Sequence, residues 1–332
     1  MQAVVLVGGE GTRLRPLTEK VPKPALTLVD RPFLAHMIEW LAGHGVSEVI
    51  LACGFLPDAL REALGDGRHG GVAIRYLAEP EPLGTAGAIR FAADSLGDGL
   101  DDRFLALNGD VLTDLDLTAL LNAHARNKAS GGGRPSATIA LHPVEDSSAY
   151  GLVRTGESGE VLEFLEKTGR QEPGEVNAGM YVLERSVLDL IEPGHAVSIE
   201  RDVFPCLVGD GLYAECLEGY WMDIGTPDRY LAASWDVLEG RVMTRTRPTA
   251  PGLYVDPEAE VDARASVGPR AVVGAGCRVG AGAQVSGSVM LAGSRVGDEA
   301  TVASSILAPG AEVGAGAELD GAVLGTDEKV PA

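Results

Sequence analysis

The chain has 332 residues, 45% of them hydrophobic and 23% charged, enough to bury a sizeable core and more than one average domain holds. Its net charge of −21 argues against nucleic acid as a partner, because phosphate backbones are held by clustered Lys and Arg that release counterions. No stretch approaches the roughly 18 to 20 apolar residues of a membrane span, and the opening MQAVVLVGGEGTRLRPL has no basic region ahead of an apolar one, so the chain is expected in the cytoplasm, off the membrane.

In chain order, Ala3 to Val7, Val49 to Ala52, Ile74 to Leu77, Phe104 to Leu107 and Thr138 to Leu141 are short runs rich in Val, Ile and Leu that read as buried strands. Between them, Phe33, Met37, Ile38 and Leu41 recur at helical spacing after Pro32, and Ala59, Leu60, Ala63 and Leu64 do so after Pro57. Strands alternating with helices predict an α/β domain with a mostly parallel sheet over 1–240. Cys53, Cys206, Cys216 and Cys277 form no C-x-x-C pair and have no histidine at metal-ligand spacing, so they are expected to be buried or inert thiols.

The segment 241–252 is polar and proline-bearing and reads as a linker; a six-residue rhythm then fills 253–332. Val255, Val261, Val267, Val273, Val279, Val285 and Leu291 are six apart; the count slips to Val296 and Val302, slips again to Leu307, and resumes with Val313 and Leu319. Such a hexapeptide repeat predicts a β-helix solenoid, each repeat giving one short strand and small residues turning the corners. All six histidines precede the repeat, so the solenoid lacks the general base of an acyltransferase, and a structural or oligomerisation role is expected.

The loop Gly8-Gly9-Glu10-Gly11-Thr12-Arg13 follows the first strand directly, where a tight glycine-rich turn aims backbone N–H groups at phosphate oxygens. It is neither a P-loop, lacking G-K-[ST], nor the dinucleotide fingerprint, since Leu14 takes the last glycine position. Arg13, Arg15, Lys20 and Lys23 outnumber Glu10, Glu19 and Asp30 here by one, in an otherwise acidic chain, so a small anion would be drawn to it.

With Arg13-Leu14-Arg15-Pro16-Leu17-Thr18 and Pro22-Lys23-Pro24 the loop spells G-G-x-G-T-R-L-x-P-L-T…P-K-P. Glu79-Pro80, Leu83-Gly84-Thr85-Ala86-Gly87, Asn108-Gly109-Asp110, Tyr150-Gly151, Glu166-Lys167, Asn177-Ala178-Gly179 and Trp221-Met222-Asp223-Ile224-Gly225 follow in order. On these motifs the chain resembles the sugar-1-phosphate nucleotidylyltransferases along nearly its whole length. The phrases EPLGTAG, VNAGMY, SIERDVFP and YWMDIGTP, with the solenoid, look most like the mannose-1-phosphate guanylyltransferases (GDP-mannose pyrophosphorylases). Thr168 after Lys167 departs from the family's usual proline.

The resemblance implies a Rossmann-like nucleotide-diphospho-sugar transferase domain followed by a left-handed β-helix, and transfer of a nucleotidyl group from GTP to mannose 1-phosphate or a related sugar 1-phosphate. It implies that Arg13 and Lys23 are catalytic on the triphosphate. Gly8, Gly9, Gly11, Thr12, Glu79, Gly84 and Thr85 would join them in binding nucleotide, and Gly109, Gly151, Glu166, Lys167 and Asn177 would bind the sugar phosphate. Asp110 and Asp223 would hold Mg²⁺, which suits two carboxylates completed by phosphate oxygens and water. A homo-oligomer assembled through the repeats is expected, because short stacked strands leave a sheet edge or flat face for a partner. A thymidylyl- or uridylyltransferase for glucose 1-phosphate, a guanylyltransferase for a heptose or cyclitol phosphate, and a non-catalytic regulatory relative stay open at this point.

Overall fold

In a computed structural model of the chain, the described residues are 1–54, 57–65, 67–129, 136–167 and 169–332; Thr168 lies outside them. They form two compact units, Met1–Gly9 with Met37–Trp221 and Glu10–His36 with Met222–Ala332.

The first unit is built on a mixed sheet. Strand β1 (Gln2–Leu6) lies between β2 (Glu48–Cys53) and β4 (Arg103–Asn108), and β3 (Val72–Ala78) extends the sheet beyond β2, all four parallel. Strands β1, β2 and β4 are buried on both sides, which is why they read as continuous apolar runs; β3, with Arg75 exposed, is covered only in part. Beyond β4 the sheet turns antiparallel: β8 (Gly174–Glu184) pairs with β4 and with β5 (Ala137–Val144), and β6 (Gly151–Thr155) joins β8 to β7 (Val161–Glu166). Strand β9 (Leu212–Cys216) closes that edge, parallel to β5.

Four helices accompany these strands: α1 (Phe33–Gly43), α2 (Pro57–Leu64), α3 (Gly84–Leu96) and α4 (Leu117–Ala129). The α1 stripe read from sequence, Phe33, Met37, Ile38 and Leu41, is buried; of the α2 stripe Leu60 and Leu64 are buried, whereas Ala59 is only partly covered and Ala63 is exposed. Helix α3 presents Ala86, Ala92 and Ala93, small residues that let its backbone approach the sheet, together with Ile89; the core they join includes Phe104, Tyr181 and Phe204. Cys53 and Cys277 are buried, whereas Cys206 and Cys216 are exposed; all four thiols are free. Burial pushes the Cys53 thiol up to about 12 and the Cys216 thiol to about 11, so both stay protonated at neutral pH.

In the second unit, helix α5 (Pro227–Leu238) starts on Thr226, whose hydroxyl accepts the Arg229 N–H, with Pro227 at its first position. From Leu253 onward short strands stack in three all-parallel sheets, forming the β-helix. Its inward row along one sheet is Val255, Val273, Met290, Leu307 and Leu324, and its core holds Val279, Val285, Val296, Val302 and Val313.

The register explains the slips in the hexad count. Glu260 pairs with Arg278 at a distance of 18 residues, but Arg278 pairs with Arg295 and Arg295 with Glu312 at 17. One corner of each later coil is shorter by a residue, and the backbone turns there through left-handed Gly287, Ser304 and Gly321. The inward residue at the first slip is Met290, which pairs with Val273, and not its neighbour Leu291. Both side chains are buried and apolar, so hydrophobicity alone does not place the slip.

No helix among the described residues is long and apolar enough to cross a membrane.

Candidate active site

In the first unit the sequence-singled residues gather at the carboxyl ends of the parallel strands, where open α/β sheets bind ligands. Gly8 and Gly9 leave β1, Gly54 leaves β2, Glu79 leaves β3 and Gly109-Asp110 leave β4. Gly54 and Gly109 are required by close approach. A Cβ at Gly109 would sit 2.6 Å from Val7 Cγ1, and one at Gly54 would sit 2.8 Å from the Gly8 carbonyl oxygen. The Glu79 N–H donates to the Cys53 carbonyl at 2.8 Å, which aims its half-buried carboxylate back toward Gly8. One carboxylate oxygen accepts the Leu83 N–H at 3.1 Å. Burial pushes this carboxyl above the usual carboxylate range, a rise only partly offset by that hydrogen bond.

Gly84 opens α3 with φ 69°, and a Cβ there would lie 2.7 Å from the Val197 carbonyl oxygen, which accepts the Ala86 N–H at 2.9 Å. Only glycine fits both the left-handed backbone and the close approach. Thr85 follows, its hydroxyl 2.8 Å from Glu200.

The candidate sugar-phosphate residues lie on the antiparallel half of the same unit. Gly151 pairs with Glu166 across β6 and β7, and a Cβ at Gly151 would come within 2.7 Å of the Glu166 carboxylate. Lys167 takes a left-handed turn just past β7, φ 47°, with its exposed ammonium 3.2 Å from Glu166. Asn177 is oriented on both sides: its Oδ1 accepts the Gly179 N–H and its Nδ2 donates to the Tyr181 hydroxyl, each at 2.9 Å. The Asn108-Gly109-Asp110 turn lies beside this segment, since a Cβ at Gly179 would touch the Asn108 side chain at 2.7 Å. Trp221 braces the same segment, its indole N–H donating to the Ala178 carbonyl and its ring lying 5.2 Å from that of Tyr150.

The second unit carries Gly11, Thr12, Arg13, Lys23 and Asp223. Gly11, at φ 62°, starts the short turn Thr12–Leu14 under Thr18 and Lys23, whose Cγ2 and Cβ would lie 3.1 and 3.3 Å from an added Cβ; the Thr18 hydroxyl donates to the Gly11 carbonyl. Arg13 rests its guanidinium on Gly225, where a Cβ would meet Nη2 at 2.6 Å. Lys23, held between Pro22 and Pro24, is only 8% exposed, and its Nζ lies 3.7 Å from Asp223 Oδ1. Arg229 approaches the other side of Asp223, donating to Oδ2 at 3.3 Å. Sequence reading passed over Arg229, although the Thr226-Pro227 start of α5 puts it in the first turn, close to Asp223 in the chain.

Among the described residues no three His, Cys, Asp or Glu side chains converge as a metal cage. Asp110 in the first unit and Asp223 in the second each present a carboxylate, a hard oxygen donor of the kind that suits a divalent cation.

A model of the nucleotidyl transferase family matches residues 2–240, and a model of the GMPPB C-terminal domain matches 249–332. The chain is 42% identical over 243 residues to a mannose-1-phosphate guanylyltransferase of Mycobacterium tuberculosis, covering 72% of this chain and 65% of that protein. It is 43% identical over 234 residues to a probable mannose-1-phosphate guanylyltransferase 1 of Oryza sativa subsp. japonica, covering 70% and 63%. The chain thus matches less than two thirds of the length of these two curated relatives. The crystal structure of HddC from Yersinia pseudotuberculosis complexed with GMP-PN is similar with a TM-score of 0.60 at 28% identity, covering 71% of this chain and 99% of that one.

Proposed function

Because the chain belongs to the nucleotidyl transferase family, we propose that it transfers a guanylyl group from GTP to mannose 1-phosphate, giving GDP-mannose and pyrophosphate. The observation that carries this reading is Lys23. A nearly buried ammonium is costly to hold, and the fold fixes it between two prolines beside Arg13's own turn, in a loop whose glycines leave room for phosphate. Similarity to two proteins named as guanylyltransferases supports the choice of GTP and mannose 1-phosphate.

A phosphate oxygen of mannose 1-phosphate attacks the α-phosphorus of GTP in line; the bond from that phosphorus to the bridging oxygen breaks, and pyrophosphate leaves. Arg13 and Lys23 offset the charge that grows on the departing pyrophosphate. The backbone at Gly8, Gly9, Gly11 and Thr12 lies along the triphosphate, and Glu79, Gly84 and Thr85 hold the base. Lys167 binds the sugar phosphate, while Glu166, Asn177 and the backbone at Gly109 and Gly151 hydrogen-bond it and the sugar. The family generally uses a divalent metal, which lowers the charge repulsion between the two phosphate groups when bound. We assign this metal as Mg²⁺, with Asp110 and Asp223 as its carboxylate ligands. The domain division 1–240, 241–252 and 253–332, assembly through the repeats and a cytoplasmic location complete the proposal.

The test is a grid of nucleoside triphosphates against sugar 1-phosphates with pyrophosphate release as readout. Highest kcat/KM for GTP with mannose 1-phosphate is expected, and no pyrophosphate from any pair would overturn the reading.

A further inference from the structure

The loop that carries Arg13 and Lys23 belongs to the same compact unit as the solenoid, not to that of the sheet. Two of its residues touch the solenoid's last turn, which joins strands Val323–Leu324 and Lys329–Val330. Pro16 lies over Gly325: a Cβ on that glycine would sit 3.3 Å from Pro16 Cβ and 3.6 Å from its Cγ. Lys20 Nζ lies 3.4 Å from Asp327 Oδ2, an exposed pair that adds register rather than strength. Gly325 is buried and its φ is not left-handed, so its backbone alone does not call for glycine. What a side chain there would crowd is Pro16, since Glu328 Oε2, at 3.4 Å, would make only an ordinary contact.

Both sides of this contact are stiff. On the solenoid, the Gly325 N–H donates to Glu328 Oε2 at 2.7 Å, the Glu328 N–H returns to the Gly325 carbonyl at 3.1 Å, and the Asp327 N–H donates to the Pro309 carbonyl at 3.1 Å. On the loop, the Gly11 carbonyl accepts the Leu14 N–H at 2.9 Å and the Thr18 hydroxyl at 2.8 Å, and the Leu14 carbonyl accepts the Leu17 N–H at 3.0 Å. Leu14, Leu17 and Thr18 are all buried. Gly11 to Thr18 is thus one closed piece that includes Arg13 and packs through Gly11 on Lys23. Close-packed groups transmit strain, so a push on Pro16 passes to Arg13 on Gly225 and to Lys23 beside Asp223.

We propose that Gly325 is a positioning residue and the solenoid's last turn the seat of the phosphate loop, so that the repeats act in catalysis within their own chain. This rests on the reading of Arg13 and Lys23 as the residues that meet the triphosphate. Those two cations act on charge that develops as pyrophosphate departs, so a displaced loop costs turnover more than ground-state binding. Mannose 1-phosphate is assigned to residues of the other unit, and its KM is not expected to follow.

The experiment compares full-length Gly325→Ala, Pro16→Gly, their double variant and Ser288→Ala by steady-state kinetics with GTP and mannose 1-phosphate, and by hydrogen exchange of the ligand-free chain. A shift of a few tenths of an ångström in Gly325→Ala is expected to lower kcat about tenfold, leave the mannose 1-phosphate KM within about twofold, and speed exchange at Leu14 and Leu17. Pro16→Gly removes the ring that the new methyl meets, so Gly325→Ala should have no further effect in that background. Ser288 Oγ accepts the Ser305 N–H at 3.0 Å, away from the loop, so Ser288→Ala weakens the solenoid without touching Pro16 and should leave kcat at the wild-type value. A Gly325→Ala kcat equal to wild type, the same loss on top of Pro16→Gly, an equal loss in Ser288→Ala, or unchanged exchange at Leu14 and Leu17 would overturn the proposal. No pyrophosphate release from the wild-type chain would instead defeat the reading of the reaction, and exchange would still decide whether the last turn seats the loop.

Discussion

Asp223 shows how little a residue's name says before its neighbours are known. Its carboxylate lies between Lys23 and Arg229, two cations that balance its charge. Asp110→Asn or Asp223→Asn removes a hard anionic ligand, and turnover is expected to fall roughly a hundredfold or more, about 3 kcal/mol of transition-state stabilisation; near-normal turnover of both variants in EDTA would refute the metal assignment. Glu79 is the residue that would read guanine, because an ionised carboxylate accepts from the adjacent N1–H and amine donors while uracil and thymine offer one donor between carbonyls. Glu79→Gln should cut the kcat/KM preference for GTP over dTTP by roughly 10- to 100-fold, and an unchanged ratio would move base selection elsewhere. Its carboxyl is raised by burial, so it takes up a proton at a higher pH than an exposed glutamate as the solution is acidified. The protonated form no longer accepts with both oxygens, so the KM for GTP should climb on that acid limb in wild type and stay flat in Glu79→Gln; parallel profiles would disprove it.

At the scale of elements, the parallel centre of the sheet was legible because strands buried on both faces must be continuously apolar. The switch to antiparallel pairing beyond Arg103–Asn108 was not, since Thr138 to Leu141 is just as apolar and pairing direction leaves no mark on composition. The hexad rhythm was legible because each inward position needs one apolar side chain of middling size, yet its slip was misplaced by one residue where Met290 and Leu291 are both buried. What the rhythm hides is a polar ladder at the short corner. Ser288 Oγ accepts the Ser305 N–H and Ser305 Oγ accepts the Ala322 N–H, each at 3.0 Å, and both serines are fully buried. Serine fits there because successive coils leave a backbone N–H at the corner that no strand partner takes. Ser305→Ala should therefore strand the Ala322 N–H and cost about 1 to 3 kcal/mol, lowering the urea midpoint of the solenoid. A midpoint equal to wild type would mean that water or a shifted backbone takes the serine's place.

The whole molecule carries a charge of −21, so two copies repel each other unless they meet where that charge is locally reversed. One face of the solenoid offers this: its outward row runs Glu260, Arg278, Arg295, Glu312 and Lys329 up successive coils, above a groove of about 1140 Å³. A second copy laid antiparallel across a two-fold axis would oppose Glu260 to Lys329 and Arg278 to Glu312, twice each, leaving Arg295 opposite its own copy, each Arg295 lying 3.6 Å from Glu312 of its own chain. Within one chain these groups already pair along the face, Arg278 with Glu260 and Lys329 with Glu312, so the gain from a partner is one of steering and register more than of raw affinity. Deleting the solenoid is the weaker test, because its last coil also touches the loop that carries Arg13 and Lys23: a Cβ at Gly325 would lie 3.3 Å from Pro16, and Lys20 pairs with Asp327 at 3.4 Å. A charge swap leaves those contacts alone. Arg278→Glu would face Glu312 with a like charge at two symmetry-related places and should weaken dimerisation by roughly tenfold or more, seen by light scattering as a shift toward the monomer mass. Arg278→Glu with Glu312→Arg restores opposite charges across the axis and should restore the dimer. Rescue by the double variant is the decisive outcome, since a general loss of solubility or folding would not be reversed by it; a mass unchanged by Arg278→Glu, or a double variant as monomeric as the single one, would overturn assembly through this face.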